Sequence, residues 1–180
     1  GIPGVIASGI VDHQIEFLRE IKSHAAYFVG SVTPANNMLL MVTGMRVVAD
    51  RTSKLSPELM IVDTCGYISG AGARRLNTGI LEVLCPRHIV AMQRRDELDH
   101  FLRFMEIKSN TIIHRIPASE HAHAKPLIIR RQRRYVHFSE YFLNGKIHQI
   151  PFDDVVFSGT WLRSGKPLDQ RMIKYIETTL

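Results

Sequence analysis

The run Leu59-Met60-Ile61-Val62 is apolar at every position and gives way at once to Asp63-Thr64-Cys65-Gly66. Pro57 stands just before it. A strand wetted on one side alternates polar and apolar residues, whereas one covered on both faces reads as a continuous apolar run. The segment therefore predicts a fully buried parallel strand over 59–64. Helices must then cover both faces of its sheet, which points to α/β layers.

The rest of the chain agrees with that demand. Val5–Val11 and Ala26–Val29 are apolar and β-branched, and the mixed charges of 12–22 between them fit a polar connection. From Asn36 to Ala49 apolar residues recur at helical spacing, with Met38, Leu39, Met41, Val42, Met45 and Val48 on or near one face. A glycine-spaced loop, Gly66 to Gly72, leads into a predicted helix over 73–84 that Cys85-Pro86 closes. His88–Met92 reads as a strand, Asp96–Met105 as a helix opened by an acidic turn, and Thr111–Ile116 as a further strand. Pro126 suits the first turn of a long basic helix running to about Phe142. Beyond it the pattern changes. A boundary near Asn144 separates an α/β domain, 1–144, from the start of a small α+β unit, 145–180. That unit holds a β-like segment over Pro151–Phe157, Trp161, and a helical pattern over Asp169–Thr178.

Composition narrows the function classes. With 45% hydrophobic and 22% charged residues over 180 positions, the chain can bury a core. A net charge of +6 favours an anionic partner. No apolar run approaches the roughly 18 residues of a membrane span, and Gly1-Ile2-Pro3-Gly4 is not a basic leader. A soluble, intracellular protein without a membrane partner is expected, cytoplasmic in a prokaryote or nuclear in a eukaryote. Cys65 and Cys85 form no CxxC pair and read as reduced, partly buried thiols. The histidines are scattered, and His121-Ala-His123 alone offers two ligands, so no metal site is assigned.

Three constellations bear on chemistry. Asp63-Thr64-Cys65-Gly66 is a DxxG at a strand end, where open α/β sheets bind ligands. A carboxylate there either holds Mg²⁺ or caps a turn. The loop Gly66-Tyr67-Ile68-Ser69-Gly70-Ala71-Gly72 has the backbone freedom to wrap a ligand or to serve as a mobile connection. It is not a Walker A loop, and GxxxxGK[ST] occurs nowhere in the 180 residues. Tyr67 within it either stacks on a base or anchors the loop. In Arg130-Arg131-Gln132-Arg133-Arg134, Arg130 and Arg134 project from one helix face and suit clamping an anion, against the alternative of a solvated basic face. Tyr135, Phe138, Tyr141 and Phe142 fit the apolar side of the same helix, as core. Gln93, at the end of its strand, either faces a nucleotide base or caps the strand.

Together these segments resemble the polynucleotide 5′-hydroxyl kinase family, the P-loop RNA kinases of pre-mRNA cleavage and ribosomal RNA processing. Pro3-Gly4-Val5-Ile6, Tyr27-Phe28-Val29-Gly30-Ser31 and Thr33-Pro34 are similar to strands and a turn of that family. Thr64-Cys65-Gly66-Tyr67 with Gly70 and Gly72 resembles its TxG[W/Y]xxGxG clasp, which implies that Thr64, Gly66 and Tyr67 hold the nucleic-acid end. The resemblance also shifts Asp63 toward a structural role. Arg130 and Arg134, with Tyr141-Phe142 behind them, resemble the RxxxR lid, which implies a catalytic role at the phosphates. The implied fold is a P-loop NTPase-like parallel sheet flanked by helices.

The resemblance implies transfer of the γ-phosphate of ATP or GTP, with Mg²⁺, to the 5′-hydroxyl of RNA or DNA, in company with RNA-processing partners. It places the Walker A loop and the catalytic base before Gly1, so the residues 1–180 are expected to be inactive alone. Two other readings stay open. A GTPase or GTP-binding regulator is faintly imitated by the DxxG and by Gln93-Arg94-Arg95-Asp96. A noncatalytic RNA-binding subunit would use the basic helix against phosphates.

Overall fold

The computed structural model describes residues 3–108, 110–123, 126–154, 170, 171, 173 and 174. The chain divides into two compact units, Gly1–Leu143 and Asn144–Leu180.

Within the first unit, β1 (Val5–Gly9) and β2 (Ser23–Phe28) form an antiparallel ribbon, in register from Val5 opposite Phe28 to Ser8 opposite Ala25. Gly4 turns at φ 68°, and its carbonyl accepts the N–H groups of both Val29 and Gly30, which closes the ribbon end. The charged connection contains a single 3-10 turn, Leu18–Glu20. Helix α1 (Met38–Ser53) lies against this ribbon and against α2 (Gly70–Leu84). A parallel pair, β3 (His88–Gln93) and β4 (Ile112–Pro117), follows, joined through α3 (Asp99–Lys108). This βαβ crossover is the unit from which doubly wound α/β sheets are built. Helix α4 (Leu127–Phe142) completes the unit.

Most of the described core is helical, with Ala25 of β2 and Ala91 of β3 buried beside it. Helix α2 buries Ala73, Leu76 and Ile80, one stripe at helical spacing. Helix α1 buries Gly44, Val48 and Thr52, again one stripe, and Leu39 is left 79% exposed. The apolar face expected from Met38 to Val48 holds at Met38, Met41, Val42 and Met45, which are half-buried, and at Val48, which is buried, with Leu39 the exception; the deepest stripe runs beside it, through Gly44. The reason lies at Gly44, where an added Cβ would stand 2.6 Å from the Tyr27 ring and 3.0 Å from Ile6. The helix meets the ribbon where it has least side chain. Thr52 fits the same interface because its hydroxyl donates to the Val48 carbonyl at 2.8 Å and meets the Ser8 hydroxyl at 2.7 Å.

Gly44 yields a prediction whose sign is decided by that contact. In an exposed helix Gly→Ala stabilises by about 1 kcal/mol, but overpacking a fitted interface costs about 1–3 kcal/mol. Gly44→Ala should therefore lower the thermal midpoint. A rise in the midpoint on calorimetry would mean that the Tyr27 ring yields freely.

The run 59–64 departs from expectation, because it pairs with no neighbour among the described residues and is not a strand of either sheet. It keeps a strand's alternation all the same. Met60, Val62 and Thr64 line a groove of about 590 Å³ with Ile80 of α2 and Ala91 of β3, whereas Leu59 and Ile61 are 74% and 84% exposed. A strand is defined by its ladder, and apolar sequence cannot supply the second strand. The aromatics of α4 also depart: Tyr135, Phe138, Tyr141 and Phe142 are all exposed, and α4 buries none of its residues. Phe142 stacks with Phe138 at 6.4 Å between centroids and meets Tyr141 edge-on at 4.9 Å, so the rings pack on one another instead of on a core.

In the second unit, Phe152–Asp154 form a 3-10 turn where β structure was expected, and 155–157, with Trp161, lie outside the described residues. Local Asp153-Asp154 chemistry favours a turn over a strand. Of the helical pattern over Asp169–Thr178, positions 170, 171, 173 and 174 are described and are helical.

Candidate functional site

The glycine-spaced loop, Gly66 to Gly72, is held from α2. Ser69, in extended conformation, precedes the helix, and Gly70 opens it at φ 87°, a left-handed geometry that strains any residue with a Cβ. Gly72 is small for a different reason. A Cβ there would lie 2.7 Å from the Tyr67 hydroxyl, so the ring occupies the space that glycine leaves on the first turn. Gly66 meets neither constraint, since its Cβ position is open. Asn77, one turn further along α2, donates from Nδ2 to the Tyr67 carbonyl at 2.9 Å and to the Ala73 carbonyl at 2.9 Å. Tyr67 is therefore half-buried and held at both ends, by its backbone and by its ring.

Thr64 and Gly66 border this loop, with Thr64 on the groove wall and both exposed. Asp63 is exposed and makes no hydrogen bond or ion pair among the described residues. The sequence singled out Thr64, Gly66 and Tyr67, and they do share one loop. Asn77 carried no signal of its own there, because a lone polar residue inside a helical pattern looks like any solvent-facing position.

At the end of β3, the Gln93 amide is engaged on both sides. Its Oε1 accepts from the Leu98 N–H at 3.2 Å and its Nε2 donates to Asp99 Oδ1 at 3.2 Å. Glu97 accepts from the N–H groups of Arg94 and Arg95, both at 2.9 Å, which holds its carboxyl below the usual glutamate range. Arg94 in turn donates to the Ala122 carbonyl. These bonds fix the turn from β3 into α3.

The arginines of α4 present the opposite situation. Arg130 and Arg134 are exposed on one face, one turn apart, and neither forms an ion pair or hydrogen bond through its side chain with a described residue. Nothing at this helix consumes their donors. Among the described residues no hydrogen bond or ion pair links them to the glycine-spaced loop. Among the described residues no three His, Cys, Asp or Glu side chains gather as a metal site. No described helix is long and apolar enough to cross a membrane. Cys65 is half-buried and Cys85 exposed in left-handed backbone, and both are free thiols.

Residues 1–144 match the family model described as mRNA cleavage and polyadenylation factor CLP1 P-loop. The chain belongs to this family. Its α/β architecture, with the parallel β3–β4 pair and four described helices, agrees with the P-loop fold of the CLP1 P-loop family. Among curated relatives, the polyribonucleotide 5′-hydroxyl-kinase of Methanocaldococcus jannaschii is 33% identical over 166 residues, covering 92% of this chain and 45% of the relative. That of Pyrococcus abyssi is 31% identical over 181 aligned positions, covering 97% of this chain and 49% of the relative. A third, from Thermococcus kodakarensis, is 27% identical over 169 residues, covering 93% and 46%. The chain thus spans about half the length of the curated relatives it matches.

Proposed function

We propose that the protein containing this chain transfers the γ-phosphate of ATP or GTP to the 5′-hydroxyl end of RNA or DNA. The observation that carries this reading is agreement along nearly the whole chain with relatives that bear the name polyribonucleotide 5′-hydroxyl-kinase. Thr64, Gly66 and Tyr67 form the polynucleotide clasp. A tyrosine held at both ends beside flexible glycines offers a base a stacking face at little entropic cost. Arg130 and Arg134 act on the transferred group, since planar guanidiniums match phosphate oxygens and hold their charge at every working pH. Gln93 shapes the strand end where a nucleotide base would lie, through its bonds to Leu98 and Asp99.

A nucleoside triphosphate with Mg²⁺ supplies the phosphoryl group when bound. The residues of this chain do not by themselves fit that group, because the 180 residues contain no GxxxxGK[ST] cradle and the described ones no metal cluster. What they fit is the acceptor end and the charge that develops on the moving phosphoryl group. Such substrates support a setting inside the cell, cytoplasmic in a prokaryote or nuclear in a eukaryote, with RNA-processing partners.

The deciding experiment offers the full-length protein an oligonucleotide with a free 5′-hydroxyl and nucleotide labelled at the γ-phosphate. Label on the oligonucleotide is expected. Hydrolysis of GTP without labelling any oligonucleotide would favour the regulator reading, and RNA binding with neither reaction would leave the noncatalytic subunit.

A further inference from the structure

Asn77 lies on α2 beyond the glycines of the proposed clasp and is hydrogen-bonded to the loop through its Nδ2. Its Nδ2 is 2.9 Å from the Tyr67 carbonyl and 2.9 Å from the Ala73 carbonyl. An amide nitrogen carries two hydrogens, so each carbonyl receives one. The reverse orientation would set the amide oxygen against two carbonyl oxygens with no hydrogen between them, which settles the orientation from the network. One side chain therefore joins the loop backbone to the helix backbone. At its other end the Tyr67 hydroxyl rests against Gly72, where a Cβ would come within 2.7 Å.

These two anchors have different consequences. The Gly72 contact limits how far the ring can swing toward α2. The Asn77 bond fixes the carbonyl from which the ring's own backbone is hung. Without it, Ile68, Ser69 and Gly70 form a span with a positive-φ glycine at its end and no other side-chain bond to α2 among the described residues. The ring would then sample many orientations, and each binding event would have to freeze one.

We infer that Asn77 is a positioning residue for the polynucleotide clasp, acting through the Tyr67 carbonyl to hold the ring ready for a nucleotide base. The inference rests on the clasp reading of Tyr67 given above. Asn77 itself touches no substrate. Its loss weakens acceptor binding and leaves the nucleotide side of the reaction alone.

The test uses the full-length protein, a 5′-hydroxyl oligonucleotide and ATP, with KM measured for each. Asn77→Ala removes the donor and favours helix, so folding is retained. Asn77→Asp, of nearly the same shape, aims an anion at two carbonyls. The oligonucleotide KM should rise about fivefold in the first and more in the second, with the ATP KM within about twofold. In a Tyr67→Ala background the same Asn77→Ala change should add nothing, because the carbonyl it holds no longer carries the ring. A merely structural role would lower the thermal midpoint and act equally in both backgrounds, and that result overturns the inference. It is also overturned, with the clasp reading intact, if Tyr67→Ala raises the oligonucleotide KM and neither Asn77 variant does. If Tyr67→Ala leaves that KM unchanged, the clasp reading fails and the inference falls with it.

Discussion

Arg134→Ala in the full-length protein should slow phosphate transfer by about 10²–10³-fold, the usual loss when one aimed donor is removed from a transition state. Oligonucleotide binding should stay within about threefold, since the clasp is carried by α2 and shares no bond with α4. The structure supplies the control. Arg134 is exposed and its guanidinium has no protein partner among the described residues, and alanine is the best helix former, so the thermal midpoint should not fall. A lost rate with an unchanged midpoint separates chemistry from folding. Arg134→Lys should recover only part of the rate, because an ammonium keeps the charge and loses the planar fork. Unchanged turnover in Arg134→Ala would reject the lid assignment for this residue.

Leu76→Ala should cost about 3 kcal/mol of stability, within the range for emptying a leucine-sized site in a close-packed core. Leu76 is 0% exposed and sits between Ala73 and Ile80 on the stripe α2 turns inward. The neighbourhood cannot close over the void easily. Helix α1 already approaches α2 closely, with a Cβ on Gly79 only 3.2 Å from Val42. Urea unfolding of wild type and variant measures the difference, and a loss below about 1 kcal/mol would mean that the two helices slide together to fill the space. Because the loop proposed as the clasp hangs from this helix, the variant also tests whether acceptor binding depends on the seating of α2.

Much of the fold was legible in the sequence because strand and helix patterns are local. The βαβ sequence of His88–Gln93, Asp99–Lys108 and Ile112–Pro117 lies within a few residues of where apolar runs and an acidic first turn placed it. The helix over Leu127–Phe142 begins just after Pro126, as the fixed φ of proline suggests. What failed to show was pairing and packing partners. Leu59–Thr64 has the composition of a buried strand, but a ladder needs a second strand that composition cannot name. The buried stripe of α1 runs through Gly44, and a glycine without a side chain is invisible to any search for apolar periodicity. The aromatics of α4 have core spacing and still face outward, since periodicity reports a face and not what covers it. At the site, the glycine spacing marked the loop and the family resemblance supplied the clasp reading proposed for it, whereas Asn77 depends on a contact ten positions back along the chain.

The exposed alternation of Leu59–Val62 has a consequence for how the chain behaves in company with copies of itself. Backbone groups without a ladder, flanking uncharged aliphatic side chains, form a template on which another molecule can add a strand. The sequence brackets the template with Pro57 and Glu58 on one side and Asp63 on the other. Stacked in register, those carboxylates would repel, and proline offers no N–H to extend the array. Asp63, exposed and without a bonded partner among the described residues, thus has a use that needs neither metal nor phosphate, since its charge would oppose such stacking of copies.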